Sequence, residues 1–171
     1  MRPICTYPNP VLRQRAEPVT VIDGALRDLI KDMFETMYGS GNGVGLAAPQ
    51  VGVSTRVIVL DVSKDRNEPI ALINPEIVKK SGREDAEEGC LSLPELNGHV
   101  LRAAKITVEA QAPDGSDITI EAEGLLSRCL QHEIDHLNGV LFIDKIPQSE
   151  KMLLRDDLGL MEYKFAKTHA S

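Results

Sequence analysis

Residues 125–137, Leu-Leu-Ser-Arg-Cys-Leu-Gln-His-Glu-Ile-Asp-His-Leu, constrain the fold of this chain more than any other stretch. They are bracketed by Gly124 and by Asn138-Gly139, which start and stop a helix, and Leu125, Leu126, Cys129, Leu130, Ile134 and Leu137 fall on nearly every side of it. A helix this apolar is predicted to be central, with the other elements packed around it. Yet it also carries His132, Glu133, Asp135 and His136, and burying two imidazoles and two carboxylates is costly unless they are paired or coordinate a metal. Histidines four apart point the same way from successive turns, so both can reach one ion of Zn²⁺ size. Glu133, turned by about 100° from His132, stands beside such an ion, where it can take a proton from water. The five-residue pattern also arises by chance in helices with solvated or core histidines; the apolar setting favours the metal reading.

The elements around this helix read as α+β, with short antiparallel or mixed strands about a central metal-binding helix and further helices at both ends. Residues 1–18 hold several prolines and read as an irregular arm with one helical turn. Over residues 23–38, Leu26, Leu29, Ile30, Met33, Phe34 and Met37 follow the three-and-four spacing of a buried helical face. Four glycines in residues 39–45 exclude a stable helix or strand interior there. Residues 56–61, 70–78, 105–112, 117–122 and 140–143 are short, β-branched and bounded by turn residues, as strands are. Pro113-Asp114-Gly115-Ser116 turns the third into the fourth as a hairpin. Residues 149–167 read as a terminal helix capped by Ser149, with Gly159 weakening its middle by roughly 1 kcal/mol. No repeat or linker interrupts residues 1–171, which are expected to form one catalytic domain.

The 171 residues can bury a real core without disulfides. A net charge of -7 argues against nonspecific binding to DNA or another phosphate backbone. No apolar run of membrane-spanning length and no leader-like N-terminus occur, so a soluble, cytoplasmic protein without a membrane partner is expected. Cys5, Cys90 and Cys129 form an odd, widely spaced set that fits a reducing compartment better than a disulfide framework.

A catalytic site of this type needs a third protein ligand and a position left for water. In one protease pattern that ligand is a histidine six residues past the second, and Phe142 stands there instead. In another, a carboxylate lies about twenty residues downstream; Asp156 or Asp157 would serve, giving a metallopeptidase as the alternative reading. The remaining candidate is Cys90 in Glu88-Gly89-Cys90-Leu91-Ser92, where a thiolate suits Zn²⁺ or Fe²⁺ and Gly89 allows close backbone approach. An isolated cysteine is more often a small buried hydrophobe.

Taken in order, Gly43-Val44-Gly45-Leu46-Ala47-Ala48-Pro49-Gln50, Glu88-Gly89-Cys90-Leu91-Ser92 and Gln131-His132-Glu133-Ile134-Asp135-His136-Leu137 resemble the three signature motifs of the peptide deformylases. The resemblance runs on through Leu72-Ile73-Asn74-Pro75 and Gly124-Leu125-Leu126 and is nearest to the bacterial form with an extended C-terminal helix. It implies removal of the formyl group from the N-terminal formylmethionine of nascent polypeptides. It implies that Cys90, His132 and His136 bind one divalent ion, Fe²⁺ in the cell with Zn²⁺, Ni²⁺ or Co²⁺ as substitutes, and that Glu133 is the general acid and base. Gln50 and the Leu91 N–H would donate to the developing oxyanion. Val44 and Gly45 would pair with the substrate backbone, with Gly89 across the site.

Leu125 and Cys129, seven and three residues before His132, share its helix face and are placed to line an apolar pocket for the methionine side chain. Cys5 reads as structural. Two departures weaken the match: Glu95-Leu96-Asn97-Gly98-His99 lacks the peptide-holding arginine of some members, and the C-terminal segment balances Lys151, Arg155, Lys164 and Lys167 with Glu150, Asp156, Asp157 and Glu162. The ribosome is therefore carried only as a candidate transient partner.

Overall fold

The computed structural model describes residues 1–169. Its architecture is α+β. A five-stranded antiparallel sheet has the order β1 (Gly45–Ala47), β2 (Val57–Leu60), β3 (Ile70–Ser81), β6 (Lys105–Gln111) and β7 (Asp117–Glu123). A separate hairpin pairs β4 (Glu84–Cys90) with β5 (Leu93–Arg102). The helices are α1 (Gly24–Gly39), α2 (Gly124–Leu137) and α3 (Gln148–His169).

Strand alternation places α2. Ile58 and Leu60 of β2 turn to one face of the sheet, where they pack with Leu72, Ile106 and Val108 against Cys129, Leu130, Ile134 and Leu137. Val57 and Val59 turn to the other face and meet Leu26, Leu29, Ile30, Met33 and Met37 of α1. Burial of each such aliphatic side chain contributes roughly 1.5–3 kcal/mol. The Asp23 carboxylate accepts from Leu26 N at 3.0 Å and caps α1. Gly124, at φ 62, takes the left-handed backbone that turns β7 into α2. As its composition predicts, α2 is enclosed over nearly its whole length.

The third cluster joins Leu93, Leu96 and Val100 of β5 to Leu12, Phe142, Ile143 and Ile146, with Leu154, Leu158 and Met161 of α3 against it. No residue of α3 is fully buried, and Met152, Leu153 and Leu160 are exposed. No helix among the described residues is long and apolar enough to cross a membrane.

Two expectations are corrected, and one strand lies where the sequence shows no strand signal. Residues 140–143 form no strand; Phe142–Asp144 is a single 3-10 turn. Asp144 accepts from the Leu141 N–H at 2.9 Å and pairs with Arg13, closing a tight turn whose apolar residues fill the third core instead of joining a ladder. The charged segment before Cys90 is β4, hidden from propensity by its acids and glycine and held by the alternating partner strand β5. Ser149 is no cap, since α3 already includes Gln148 and its Lys151 N–H reaches Pro147 O at 3.0 Å. The arm holds one 3-10 turn, Pro10–Arg13, and Gly159 sits on the open side of α3.

Candidate active site

Each motif arrives from a different element. α2 carries His132 and His136 with ring centroids 5.1 Å apart. Cys90 lies at the closed end of the β4–β5 hairpin, where the register slips between Gly89 and Cys90. That irregularity turns the thiol toward α2, and Cys90 Sγ stands 3.3 Å from His136 Nε2. One ligand atom from each of Cys90, His132 and His136 lies within 4.8 Å of the other two.

Gln50 belongs to a 3-10 turn over Ala48–Val51 that follows β1 and is buried. Its Oε1 accepts from the Ala47 N–H at 2.9 Å. That contact directs Nε2 toward Ser92 Oγ at 3.1 Å and Cys90 Sγ at 3.6 Å. Ser92 Oγ in turn donates to Cys5 O at 2.7 Å, which ties the N-terminal arm to the same corner and gives Cys5 a structural place.

These groups border a cleft of about 680 Å³ between β1 and the hairpin. Val44, Gly45, Gln50, Gly89, Cys90, Leu91, Leu125, Cys129, His132 and Glu133 line it, whereas His136 lies behind Cys90, almost fully buried. Gly45 is a steric requirement: a Cβ there would stand 2.5 Å from Glu133 Oε2 and 2.9 Å from Cys129 Sγ. Leu125 remains half exposed at the mouth, and Cys129 is buried. Burial, with Glu133 nearby, raises the Cys129 thiol well above its ordinary value, so it stays protonated.

Four residues of the site carried no assigned role in the sequence. Glu88 is buried behind His132, accepting from its Nδ1 at 2.8 Å, and this fixes the tautomer that leaves Nε2 facing Cys90. Arg102 donates to both Glu88 oxygens at 2.7 and 2.9 Å, and Arg128 adds a bond of 2.6 Å. Burial alone would push the Glu88 carboxyl up, but the Arg102 and His132 contacts outweigh it and hold the group far below the usual carboxylate range. Ser92 is the fourth. A signal for Arg102 was present, since it falls in phase with Leu96, Gly98 and Val100, the inward positions of β5; an arginine in that phase requires a buried partner.

The donor set fits a metal ion. Two ligands at tetrahedral positions about one zinc-sized ion are separated by roughly 3.3–3.8 Å, within the spread found here. Glu133 Oε1 and His136 Nδ1 are buried without a hydrogen-bond partner among the described residues. Burial pushes the Glu133 carboxyl up to about 7, opposed by His132 and reinforced by Glu88. Burial, with His132 beside it, lowers His136, favouring the neutral imidazole that a metal requires. Asp156 and Asp157, the third ligands of the alternative peptidase reading, are exposed on α3 and take no part in this group.

The family model for polypeptide deformylase matches residues 1–152. The chain belongs to that family. A peptide deformylase of Acidobacterium capsulatum is 54% identical over 156 residues, covering 90% of this chain and 91% of its relative. Among solved structures, the peptide deformylase of Legionella pneumophila superposes with a TM-score of 0.88 at 46% identity, covering 100% of this chain and 99% of the other. That of Plasmodium falciparum reaches 0.93 at 38% identity, covering 98% and 99%. The deformylase match includes the whole of the cleft and ends five residues into α3.

Proposed function

We propose that this chain hydrolyses the formyl amide at the N-terminal formylmethionine of nascent polypeptides, releasing formate and a free methionine amine, with Cys90, His132 and His136 holding one divalent ion. The observation that carries the reading is the convergence of those three ligand atoms at a cleft also lined by Glu133, whose Oε1 has no partner. A bound divalent ion supplies Lewis acidity at the formyl carbonyl and makes water more acidic.

The chain's own residues supply the rest. Glu133 takes a proton from the attacking water as oxygen bonds to the formyl carbon, and returns it to the nitrogen as the C–N bond breaks. A carboxyl raised by burial is suited to both transfers. Gln50 Nε2 and the Leu91 N–H donate to the carbonyl oxygen as it becomes anionic, and the Ala47 contact keeps the Gln50 amide from rotating away. Val44 and Gly45, on the otherwise unpaired edge of β1, pair with the peptide backbone, while Gly89 keeps the opposite wall low. Leu125 and Cys129 receive the methionine side chain.

In this reading residues 1–171 act as one catalytic domain in the cytoplasm, with Fe²⁺ as the cellular ion and Zn²⁺, Ni²⁺ or Co²⁺ as substitutes; the last two residues lie outside those described. Thiolate and imidazole ligands suit all four ions. A transient ribosome contact belongs to the same reading, although the balanced charge of α3 offers it little phosphate attraction. The test is formate release from formyl-Met-Ala by the Fe²⁺-loaded protein without oxygen, set beside acetate release from acetyl-Met-Ala. Strong preference for the formyl peptide is expected; equal rates would overturn the reading.

A further inference from the structure

The β1 edge is held from behind by a loop that no part of the mechanism above uses. Residues 61–69 leave β2 and fold back on the fully buried Asp61 carboxylate. Oδ1 accepts from Ser63 N and Oγ at 2.9 and 2.5 Å, and Oδ2 accepts from Glu68 N at 3.1 Å and Tyr38 OH at 2.6 Å. Burial would raise this carboxyl, but those donors outweigh it and lower it, so the loop is closed on a firm anion. Arg66 projects from the closed loop in the left-handed backbone region, at φ 53, uncommon for a residue with a side chain. Its guanidinium lies over the Tyr38 ring, 5.1 Å from the centroid, and Nη2 donates to Gly43 O at 2.9 Å.

That contact has a directional effect. A peptide unit is planar and trans, so the Gly43 carbonyl and the Val44 N–H point opposite ways. Holding Gly43 O toward the loop therefore aims the Val44 N–H away from it. The next carbonyl, Val44 O, accepts from the Asp61 N–H at 2.8 Å, and this fixes the Gly45 N–H in the same manner. Two consecutive peptide planes at the cleft wall are thus oriented by one loop. Gly43 has no side chain of its own to resist rotation, and none would fit: a Cβ would meet Ser40 Oγ at 2.6 Å and Leu91 Cδ1 at 2.9 Å.

We propose that Arg66, braced on Tyr38 and the Asp61-closed loop, is a positioning residue that sets the Gly43–Val44 peptide plane for pairing with the substrate backbone. The inference rests on the deformylase reading above. Its effect falls on peptide binding and spares the bond-breaking step, because Arg66 touches neither the ligand group nor Glu133. In Arg66→Met, KM for formyl-Met-Ala-Ser is expected to rise about tenfold with kcat within about twofold, whereas formyl-Met amide, which offers little backbone to pair, loses less than about threefold in kcat/KM. Arg66→Lys retains a donor but loses the planar stack and should recover part of the difference.

Metal content and melting temperature of each variant are measured alongside. An unchanged KM for the tripeptide in Arg66→Met, with wild-type activity intact, overturns the positioning role. An equal loss on both substrates accompanied by reduced metal content overturns it as well, in favour of a structural role. Wild-type protein that releases formate from neither substrate defeats the underlying deformylase reading instead.

Discussion

Glu88→Gln isolates the buried charge cluster behind His132. Glu88 accepts four charge-assisted or polar hydrogen bonds: Oε1 from His132 Nδ1 and Arg102 Nη2, and Oε2 from Arg102 Nε and Arg128 Nη1, all between 2.6 and 2.9 Å. A glutamine of the same shape keeps one oxygen. Whichever way the amide turns, its NH₂ faces two donors, so two bonds are replaced by donor–donor contacts. The neutral amide also leaves Arg102 with Asp135 as its remaining ion-pair partner and Arg128 with none in the cluster. The side chains of Glu88 and Arg102 are no more than 5% exposed and that of Arg128 is 10%, so water offers little relief.

Breaking a buried pair by neutralising one partner typically costs on the order of 3–5 kcal/mol. For a domain of this size the melting temperature should fall by roughly 6–20 °C. Calorimetry or thermal circular dichroism on the metal-loaded protein measures it, with Glu88→Asp as the control that keeps the charge. A fall below about 3 °C for Glu88→Gln would mean that the guanidinium groups find compensation elsewhere and would refute the account.

The other substitutions separate chemistry from architecture. Glu133→Ala should keep its metal but lose turnover by about 10²–10⁴-fold, read as formate release beside metal stoichiometry. Gly45→Ala should lower formate release more than about tenfold at full metal occupancy, because its Cβ would stand 2.5 Å from Glu133 Oε2 and 2.9 Å from Cys129 Sγ and so displace the Glu133 carboxylate. Incubation with a chelator should abolish activity, and added Fe²⁺ or Co²⁺ should restore it; activity that survives complete metal removal would refute the metal assignment.

The contact between β5 and α3 should depend on pH. Glu150 accepts from His99, so His99 is raised from 6.5, with Asp85 and Glu87 of β4 adding to the rise, and Glu150 is lowered from 4.5. The raised histidine contributes stability that is full below its unfolded value and lost as pH climbs through the folded one. The lowered carboxylate contributes above its unfolded value and loses this as pH falls through the folded one. The melting-temperature difference between wild type and His99→Gln should therefore be largest between about pH 5 and 6 and shrink as the pH rises above 6.5; a flat difference would show that the contact carries no charge.

What the sequence revealed depended on how local the signal was. The α2 helix was legible because an apolar segment carrying two histidines and two carboxylates has few ways to be stable, and α1 because its buried face repeats at helical spacing. The hairpin strand β4 was not, since Glu84-Asp85-Ala86-Glu87-Glu88 has neither strand propensity nor alternation and acquires its conformation from β5. Residues 140–143 failed in the opposite sense: four apolar residues look like a strand until Asp144 caps them into a turn. The site residues named in the sequence do meet at one cleft, apart from His136 directly behind it. Glu88, Arg102 and Arg128 were invisible as a group because each comes from a different element, β4, β5 or α2, and only the fold brings their charges together.

Those buried charges raise the question of why the chain keeps them at all, since an apolar cluster of similar volume would often be as stable. His132 supplies the answer. A ligating imidazole must present one nitrogen and hold its ring still, and an acceptor on the other nitrogen accomplishes both. Glu88 can serve only as a carboxylate, and a lone carboxylate in this core would be expelled or protonated. Arg102 and Arg128 keep it ionised, and Arg102 reaches on to Asp135, one residue before His136, so a single network is fastened to α2 next to both candidate ligands. The pairing makes a sharp demand: Arg102→Met should weaken Zn²⁺ binding about 10- to 100-fold although it touches no ligand. Unchanged affinity by competition with a fluorescent chelator would mean that the cluster serves folding alone.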